Sequence, residues 1–230
     1  MSGFVGQVGA KSGKIGVAAK DAMFSGYLKS IQEFYTAGNA TWTKPAGITH
    51  IMVYCTGAGG SGGGGGSGNQ DVGAGGGSGG TAIRFYDVTG VTSCAIVIGT
   101  RGVVGANANS SAGGGTASTF AGPGATITGS GGGGGDHGNA GFADGGIYGA
   151  ASGGMFNLRG QVGHNGSDDP GSQWYPPPQG GMAFWGGAGK TAGQGQNTLT
   201  DSVKGSGGAG NETAVNSNSA SHGAYLFACN

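Results

Sequence analysis

Runs of glycine constrain the fold of this chain more than any other feature of its sequence. The longest run occupies 57–66 and directly follows an apolar stretch at 48–54. Further runs follow at 73–80, 113–115, 131–135, 153–154, 186–189 and 205–210. Glycine supplies 61 of the 230 residues, several times its usual share. Because glycine loses more conformational entropy on folding than any other residue, this composition first suggests a disordered chain.

The low charge and the apolar segments argue against disorder. Charged residues make up only 9 % of the chain, with ten Lys and Arg against ten Asp and Glu, so no net charge holds it open. Segments rich in β-branched and aromatic residues lie between the glycine runs and predict strands, at 48–54, 81–88, 93–98 and 224–228. Glycine runs bracketed by strands indicate one folded body.

Glycine runs can pack as polyglycine II helices, which are extended three-residue helices that rise about 3.1 Å per residue. Such helices make no internal hydrogen bonds, so their backbone N–H and C=O groups bond to neighbouring helices or to water. Only glycine lets neighbours approach closely from every side. We therefore predict a mainly β and irregular fold, with one small β-sheet and a layered bundle of polyglycine II helices that carries surface loops.

The sequence divides into an N-terminal arm over 1–35 and a glycine-rich domain over 36–230. The arm contains too few apolar residues to fold alone, so we expect it to order against another protein. Part of it, at 20–34, has some helical spacing, although 31–36 fit the start of a strand equally well. The predicted docking residues of the arm are Phe4, Val5, Val8 and Ile15.

The cysteines and the hydropathy of the chain indicate whether it forms disulfides, crosses a membrane or carries a signal peptide. Cys55, Cys94 and Cys229 are odd in number and lie in or beside apolar strands, which favours buried free thiols over a disulfide framework. No stretch has the apolar length needed to cross a bilayer, and 1–20 lack the apolar core of a signal peptide. We expect neither a membrane span nor a signal peptide.

Glycine-rich sequence matches nucleotide-binding motifs by chance. Residues 57–62 fit the G-x-G-x-x-G pattern after a strand, but a dinucleotide site needs a helix to follow, and more glycine follows here. Residues 186–191 resemble the end of a phosphate-binding loop, but Phe184 stands where the first glycine of that motif belongs. We expect neither segment to bind a nucleotide.

The apparent serine-nucleophile and calcium-binding motifs are also chance matches of glycine-rich sequence. Residues 59–63 and 76–80 fit the serine-nucleophile pattern G-x-S-x-G, but neither lies at a strand-to-helix elbow. Residues 131–136 fit the first part of a calcium-binding nonapeptide, but the pattern breaks at Gly138 and no tandem copy follows. We therefore predict no catalysis, no cofactor and no metal site.

Aromatic and polar residues concentrate in two segments, at 136–148 and 155–185. Aromatic faces cover the C–H surface of sugars while amides and carboxylates bond the hydroxyls, so this mixture is typical of glycan or protein recognition on loops. The alternative is that individual aromatic residues, such as Phe184, fill gaps at the ends of the glycine layer. The predicted receptor-binding residues are Asp136, His137, Phe142, Tyr148, Phe156, Arg159, His164, Trp174, Tyr175 and Trp185.

Ordered motifs carry a family resemblance over about 34–230. A Trp-Thr-Lys-Pro-Ala-Gly turn at 42–47 precedes the first apolar strand, and Gly-Ala-Gly-Gly opens the first glycine run. Later strands, turns and glycine runs follow in the matching order, and the last run at 205–210 precedes a terminal apolar strand. The chain resembles the glycine-rich domain of phage tail-fibre and tail-tip proteins. It is also similar to the adhesins of T-even-like phages, in which glycine helices pack together and present variable loops to a bacterial receptor.

This resemblance implies a viral structural protein located in the virion, at a tail fibre or tail tip. The expected role is receptor binding through loops on a polyglycine scaffold; the alternative is a purely structural fibre, tail or capsid-decoration component. Expected partners are other virion tail proteins through the N-terminal arm and a bacterial surface glycan or outer-membrane protein. The resemblance implies a homotrimer or a monomeric fibre cap. The neutral net charge argues against nucleic-acid binding, which favours a basic patch.

Overall fold

The structure is a computed structural model that describes residues 30–65, 72–104, 110–138, 142–166, 178–187, 204–210 and 223–229. These residues contain strands and irregular segments but no α-helix, and hence no helix suited to crossing a membrane. The predicted mainly β and irregular fold is confirmed. The strands are β1 (Ser30–Phe34), β2 (Gly38–Thr43), β3 (His50–Thr56), β4 (Thr81–Asp87), β5 (Ser93–Ile98), β6 (Ser118–Gly122), β7 (Ala125–Gly129), β8 (Ala151–Ser152), β9 (Phe156–Leu158) and β10 (Gly223–Cys229).

The strands form two five-stranded antiparallel sheets. Sheet A has the order β1-β10-β3-β4-β9, and sheet B has the order β2-β5-β6-β7-β8. The sequence predicted one small sheet, and the structure divides the predicted strands between two. The two sheets form because alternate residues of the strands, such as Ile51 and Val53 of β3 and Ile96 and Ile98 of β5, give each sheet an apolar inner face, and these two faces bury each other.

A single apolar core joins the two sheets. Alternate residues of β3 and β5 point inward, and the two largest fully buried side chains, Trp42 and Phe120, have ring centroids 6.4 Å apart. The other main members are Ile48, Ile51, Val53, Cys55, Ala82, Tyr86, Val88, Cys94, Ile96, Ile98 and Ile127. Trp42 of β2 and Phe120 of β6 both project from sheet B, and the contact across the inter-sheet space is made by Tyr86 of β4 in sheet A, whose ring centroid lies 5.3 Å from that of Phe120.

The N-terminal boundary of this sandwich lies inside the predicted arm. β1 covers Ser30–Phe34 and pairs along its length with β10, so the strand interpretation of this stretch is confirmed over the helical one. The two ends of the described chain thus meet at one edge of sheet A. The predicted docking residues Phe4, Val5, Val8 and Ile15 lie outside the described residues, as do 20–29.

Nine extended segments form a bundle at one end of the sandwich. Their backbones bond to each other at every third residue: the amides of Gly57, Gly60 and Gly63 donate to carbonyls of a single antiparallel neighbour at 2.8–2.9 Å. A three-residue period is that of the polyglycine II helix. The segments are PG1 (57–65), PG2 (72–80), PG3 (99–104), PG4 (110–117), PG5 (130–138), PG6 (142–150), PG7 (159–166), PG8 (178–182) and PG9 (204–210).

PG2 lies at the centre of the bundle and bonds to six neighbours. The amides of Gly75, Gly76 and Gly77 donate in turn to PG7, PG9 and PG5, each at 2.8 Å. The carbonyls of the same three residues accept from PG6, PG8 and PG1 at 2.8–2.9 Å. A Cβ atom on any of the three would overlap a backbone carbonyl of a neighbouring segment. Glycine is therefore required here by close approach on every side.

The sandwich and the bundle give the molecule two distinct ends. β1 starts at Ser30, which is aligned through Ala228 with Ile51 near the start of β3. The opposite end of β3, at Thr56, leads directly into PG1. Segments of nine residues extend about 28 Å at 3.1 Å per residue. The far end of the bundle, called the tip below, consists of the segment ends at 65, 72, 104, 110, 138, 142, 166, 178 and 210.

Candidate functional site

Four of the predicted receptor-binding residues lie at or beside the tip, on three neighbouring segments. Asp136 and His137 end PG5, where the Asp136 amide donates to the carbonyl of PG6 at 3.0 Å. The His137 Nδ1 atom lies 3.1 Å from the hydroxyl of Ser111 on PG4. Phe142 begins PG6 with 84 % of its surface exposed, and His164 is exposed near the end of PG7. The structure thus brings these four residues to one end of the molecule.

The three-residue period of the segments determines which side chains point outward. In PG6, Ala143, Gly146 and Gly149 are buried and the residues between them are partly or fully exposed. PG7 carries a glycine at every third position from 160 to 166. A small residue is therefore needed on only one of the three faces of an outer segment, and the other two faces can carry any side chain.

This spacing is a sequence signal that the predictions missed. A small residue at every third position identifies the inner face of an outer segment, as at 143, 146 and 149. A segment that is small at nearly every position, as in 57–65, 73–80 and 205–210, is buried on all sides. The same rule finds Ile147 and Val162, two apolar residues with more than half of their surface exposed that were not among the predicted site residues.

A second group of predicted residues lies on the side of the bundle, close to the sandwich. The guanidinium carbon of Arg159 lies 5.1 Å from the ring centroid of Tyr148, a distance at which a cation is attracted to an aromatic face. Phe156, on the edge strand β9, is 61 % exposed. Tyr148 lies near the sandwich end of PG6, Arg159 begins PG7 at the same end, and Phe156 belongs to β9, so this group is separate from the tip.

Trp185 lies at the junction of sheet A and the bundle. Its indole Nε1–H donates to the hydroxyl of Thr56 at 3.0 Å, and Thr56 in turn bonds to the hydroxyl of Thr81 at 2.9 Å. Its ring centroid lies 5.3 Å from that of Tyr54 and 4.9 Å from that of Phe184. Trp185 therefore packs within the protein, whereas the predicted residues Trp174 and Tyr175 lie outside the described residues.

The serines of the two G-x-S-x-G matches are buried parts of the bundle. Ser61 Oγ donates to the carbonyl of Gly102 at 2.6 Å. Ser78 Oγ donates to the carbonyl of Met182 and accepts from the amide of Gln161, each at 2.7 Å. The hydroxyl of Ser61 therefore links PG1 to PG3, and that of Ser78 links PG2 to PG7 and PG8.

The titratable groups with clearly shifted pKa values lie in the sandwich. Burial raises the pKa of the Cys55 thiol to about 12, and burial also raises the pKa of Tyr86 to about 12. Cys94 is likewise a buried free thiol with a raised pKa. The predicted free-thiol state is confirmed for these two cysteines. Within the described ranges, no group of three or more His, Cys, Asp and Glu residues could hold a metal ion.

These features define a class of protein in which a β-sandwich carries a bundle of polyglycine II segments that extend away from it. A family model described as a glycine-rich domain matches residues 35–225. The match includes β2 to β9, the first three residues of β10 and all nine segments of the bundle. The chain therefore belongs to the glycine-rich domain family. A comparison with curated proteins gave no match.

Proposed function

We propose that the protein is a receptor-binding adhesin of a phage virion, located at a tail fibre or tail tip, and that the tip of the bundle carries its binding site. The observation that supports this proposal is the position of the segment ends. Nine of them lie at the tip, opposite the end at which the chain enters sheet A. Binding loops are commonly carried on a rigid scaffold in this way.

The bundle is suited to carrying loops because its order does not depend on their side chains. Its segments are held by backbone bonds, such as those of Gly75, Gly76 and Gly77 to six neighbours. Connections between the segments can therefore change in sequence without changing the scaffold. The described residues at the tip include an exposed aromatic ring, Phe142, beside the polar residues Asp136 and His137, which suits recognition of a bacterial surface glycan or outer-membrane protein.

The remaining parts of the proposal concern assembly in the virion. The N-terminal arm would attach the protein to other virion tail proteins, since β1 begins at the end of the sandwich that is remote from the tip. No catalysis and no nucleic-acid binding form part of the proposal, in keeping with the zero net charge. A homotrimer and a monomeric fibre cap are both compatible with this arrangement.

A purely structural virion component is the second candidate function. The observation that favours it is the exposure of Phe85 and Phe156, which are 51 % and 61 % exposed on sheet A. Large exposed apolar side chains that lie together mark contact with another protein. In this alternative the sandwich would pack in the virion and the tip would bind no receptor.

Binding of the fluorescently labelled full chain to a panel of candidate host bacteria tests the proposal. The test variant combines Phe142→Ala and His164→Ala with a glycine-serine linker in place of 167–177. This change leaves β9, PG7 and PG8 intact. The control variant is Val97→Ala, on the outer face of sheet B and remote from the tip. Circular dichroism and gel filtration of each variant check that it is folded.

The adhesin proposal predicts that the tip variant loses at least about tenfold in affinity, equivalent to 1.4 kcal/mol, while the control binds as the wild type does. Equal binding by a folded tip variant would exclude the tip as the site. Failure of the wild-type protein to bind any tested strain, in its native oligomeric state, would favour the structural component.

A further inference from the structure

The outer face of sheet A, which points away from the core, is apolar in two neighbouring rows. Cross-strand partners lie on the same face of a sheet. The register pairs Met52 with Phe85 and aligns Ile31 with them across β10. In the next row, nearer the bundle, the register aligns Tyr54, Ile83 and Phe156. Because the inner face of the same strands forms the core, sheet A is apolar on both faces.

The outer face of sheet B provides an internal contrast. It follows the usual pattern of an antiparallel sheet, with one face in the core and one polar face in water. Its side chains are small or bear hydroxyl groups, with one larger apolar member, Val97. They are Asn39, Thr41, Thr43, Ser93, Ala95, Val97, Thr119, Ala121, Thr126 and Thr128.

Part of the apolar face of sheet A is covered by the chain itself. The turn at 183–186 places its two aromatic rings 5.3 and 5.9 Å from the ring of Tyr54. Away from this turn the face stays open: Ile31 is 53 % exposed, Phe85 51 % and Phe156 61 %. The turn thus covers the part of the face around Tyr54, while Ile31, Phe85 and Phe156 stay accessible.

We propose that a second copy of this chain packs against the outer face of sheet A, so that the protein associates with itself through this face. This inference does not rest on the proposed adhesin function, because it concerns the sandwich and not the tip. In the proposed contact, each copy contributes the same apolar face.

The size of the face supports self-association. Ile31, Phe85 and Phe156 are each more than half exposed on it, and an apolar patch of roughly 300–600 Å² is the size of the largest patch on a typical monomer and often marks a functional surface. Two such faces packed on each other would bury about 1,000 Å² in total, the lower limit for a specific interface. The face is therefore large enough for a weak dimer contact.

The charge and composition of the face favour an identical partner. Among the described side chains of the two rows only Glu33 is charged, and it forms an ion pair with Lys204 at 3.2 Å. Two identical faces would therefore meet without like-charge repulsion. Interfaces between identical subunits are more apolar than transient ones, and aromatic residues and Met are enriched in interfaces. A second copy is also present wherever the chain is synthesised.

The oligomeric state of the full chain in solution tests this inference. Sedimentation equilibrium would compare the wild type with Phe85→Asp, which introduces a charge on the outer face of sheet A, and with Val97→Asp, the matched change on the outer face of sheet B. We expect the wild type and Val97→Asp to associate at about 10 µM and Phe85→Asp to weaken association by at least about 100-fold in Kd. Circular dichroism verifies the fold of both variants.

A wild-type chain that stays monomeric at about 100 µM would overturn the inference and would leave the face to the N-terminal segment of the same chain or to another protein. Association that is equally affected by the two aspartate variants, or by neither, would also overturn it. If Phe85→Asp does not fold, Phe85→Ala and Ile31→Ala replace it. Each should then weaken association at least tenfold, about 1.4 kcal/mol, while Val97→Ala leaves it unchanged.

Discussion

The sandwich and the bundle of this protein reach a packed state by opposite means. In the sandwich, large side chains such as Trp42 and Phe120 fill the space between two sheets. In the bundle, PG2 has no large side chain except at its first residue and bonds to six neighbours through its backbone. The comparison teaches that a chain rich in glycine can bury its backbone as other proteins bury apolar side chains, provided that each N–H and C=O finds a partner.

The two regions should therefore respond in opposite ways to the size of a side chain. The sandwich should be damaged when volume is removed, because interiors are close-packed and cavities are unfavourable. The bundle should be damaged when volume is added, because the atoms around each glycine are backbone atoms of other segments. Four substitutions with progressively smaller expected effects test this contrast.

The largest effect is expected for Gly77→Ala at the centre of the bundle. A Cβ atom there would overlap the carbonyl of Ile147 on PG6, and neither backbone can move without breaking other bonds. We expect a loss of more than about 4 kcal/mol in the free energy of unfolding, at the extreme of single substitutions, measured by urea unfolding or seen as failure to fold. The control is Gly90→Ala, where a Cβ atom would meet nothing within 4 Å. A Gly77→Ala protein as stable as this control would contradict the six-neighbour packing.

The next effect is expected for Phe120→Ala in the sandwich. Phe120 is 1 % exposed and its ring contacts those of Trp42 and Tyr86. Removal of the ring should reduce the free energy of unfolding by about 3–5 kcal/mol, measured by urea unfolding followed by tryptophan fluorescence. Val97→Ala, on the exposed face of the same sheet, should change it by no more than about 0.5 kcal/mol. Similar losses of unfolding free energy in Phe120→Ala and Val97→Ala would contradict the position of Phe120 in the core.

A smaller effect is expected for Ser78→Ala, which adds no volume to the bundle. The change removes the buried hydroxyl that bonds to the Met182 carbonyl and the Gln161 amide, so two backbone groups lose a partner in partly buried hydrogen bonds. We expect a loss of about 1–3 kcal/mol and faster hydrogen exchange of the Gln161 amide by NMR. Ser93→Ala, at an exposed position of β5, is the control and should leave both quantities unchanged.

The smallest effect is the loss of unfolding free energy at alkaline pH that the buried Cys55 thiol causes. The Cys55 thiol titrates near 9.0 when unfolded, and burial raises its pKa to about 12 in the folded protein. The folded state therefore keeps a proton that the unfolded state loses, and stability falls as pH rises from about 9 towards 12. At pH 10 this difference amounts to about 1.4 kcal/mol. The decrease in unfolding free energy between pH 8 and pH 10 should be smaller by that amount in Cys55→Ala than in the wild type; equal decreases would contradict the burial of the thiol.

Local features of the fold could be predicted from the sequence, because they depend on neighbouring residues. β5 covers the predicted 93–98, and β3 begins two residues later than expected, at His50. The extended glycine segments could be predicted from the backbone bonding requirement. Pairing of β1 with β10 could not, because it joins residues about 200 positions apart and no local pattern specifies the partner. The division into two sheets depends on such pairings.

The candidate site could be predicted in part. Exposure of Phe142 follows from its position at a break between glycine segments, and the structure confirms that it is exposed. The separation of Tyr148 and Arg159 from the tip depends on the register between PG6 and PG7, which glycine backbones fix without any side-chain pattern. The packing of Trp185 on Tyr54 depends on a long-range contact between the bundle and sheet A. No local sequence pattern predicts such contacts.

The central claim is that the glycine segments are an ordered, hydrogen-bonded body, and hydrogen exchange of the PG2 amides tests it most directly. In NMR or mass-spectrometric exchange experiments, we expect the amides of 74–80 to be as protected as those of Ile51 and Val53 in β3, because the residues of both sets are buried and their amides donate to backbone carbonyls. Exchange of the PG2 amides at the rate of an unfolded chain, with β3 still protected, would contradict the account.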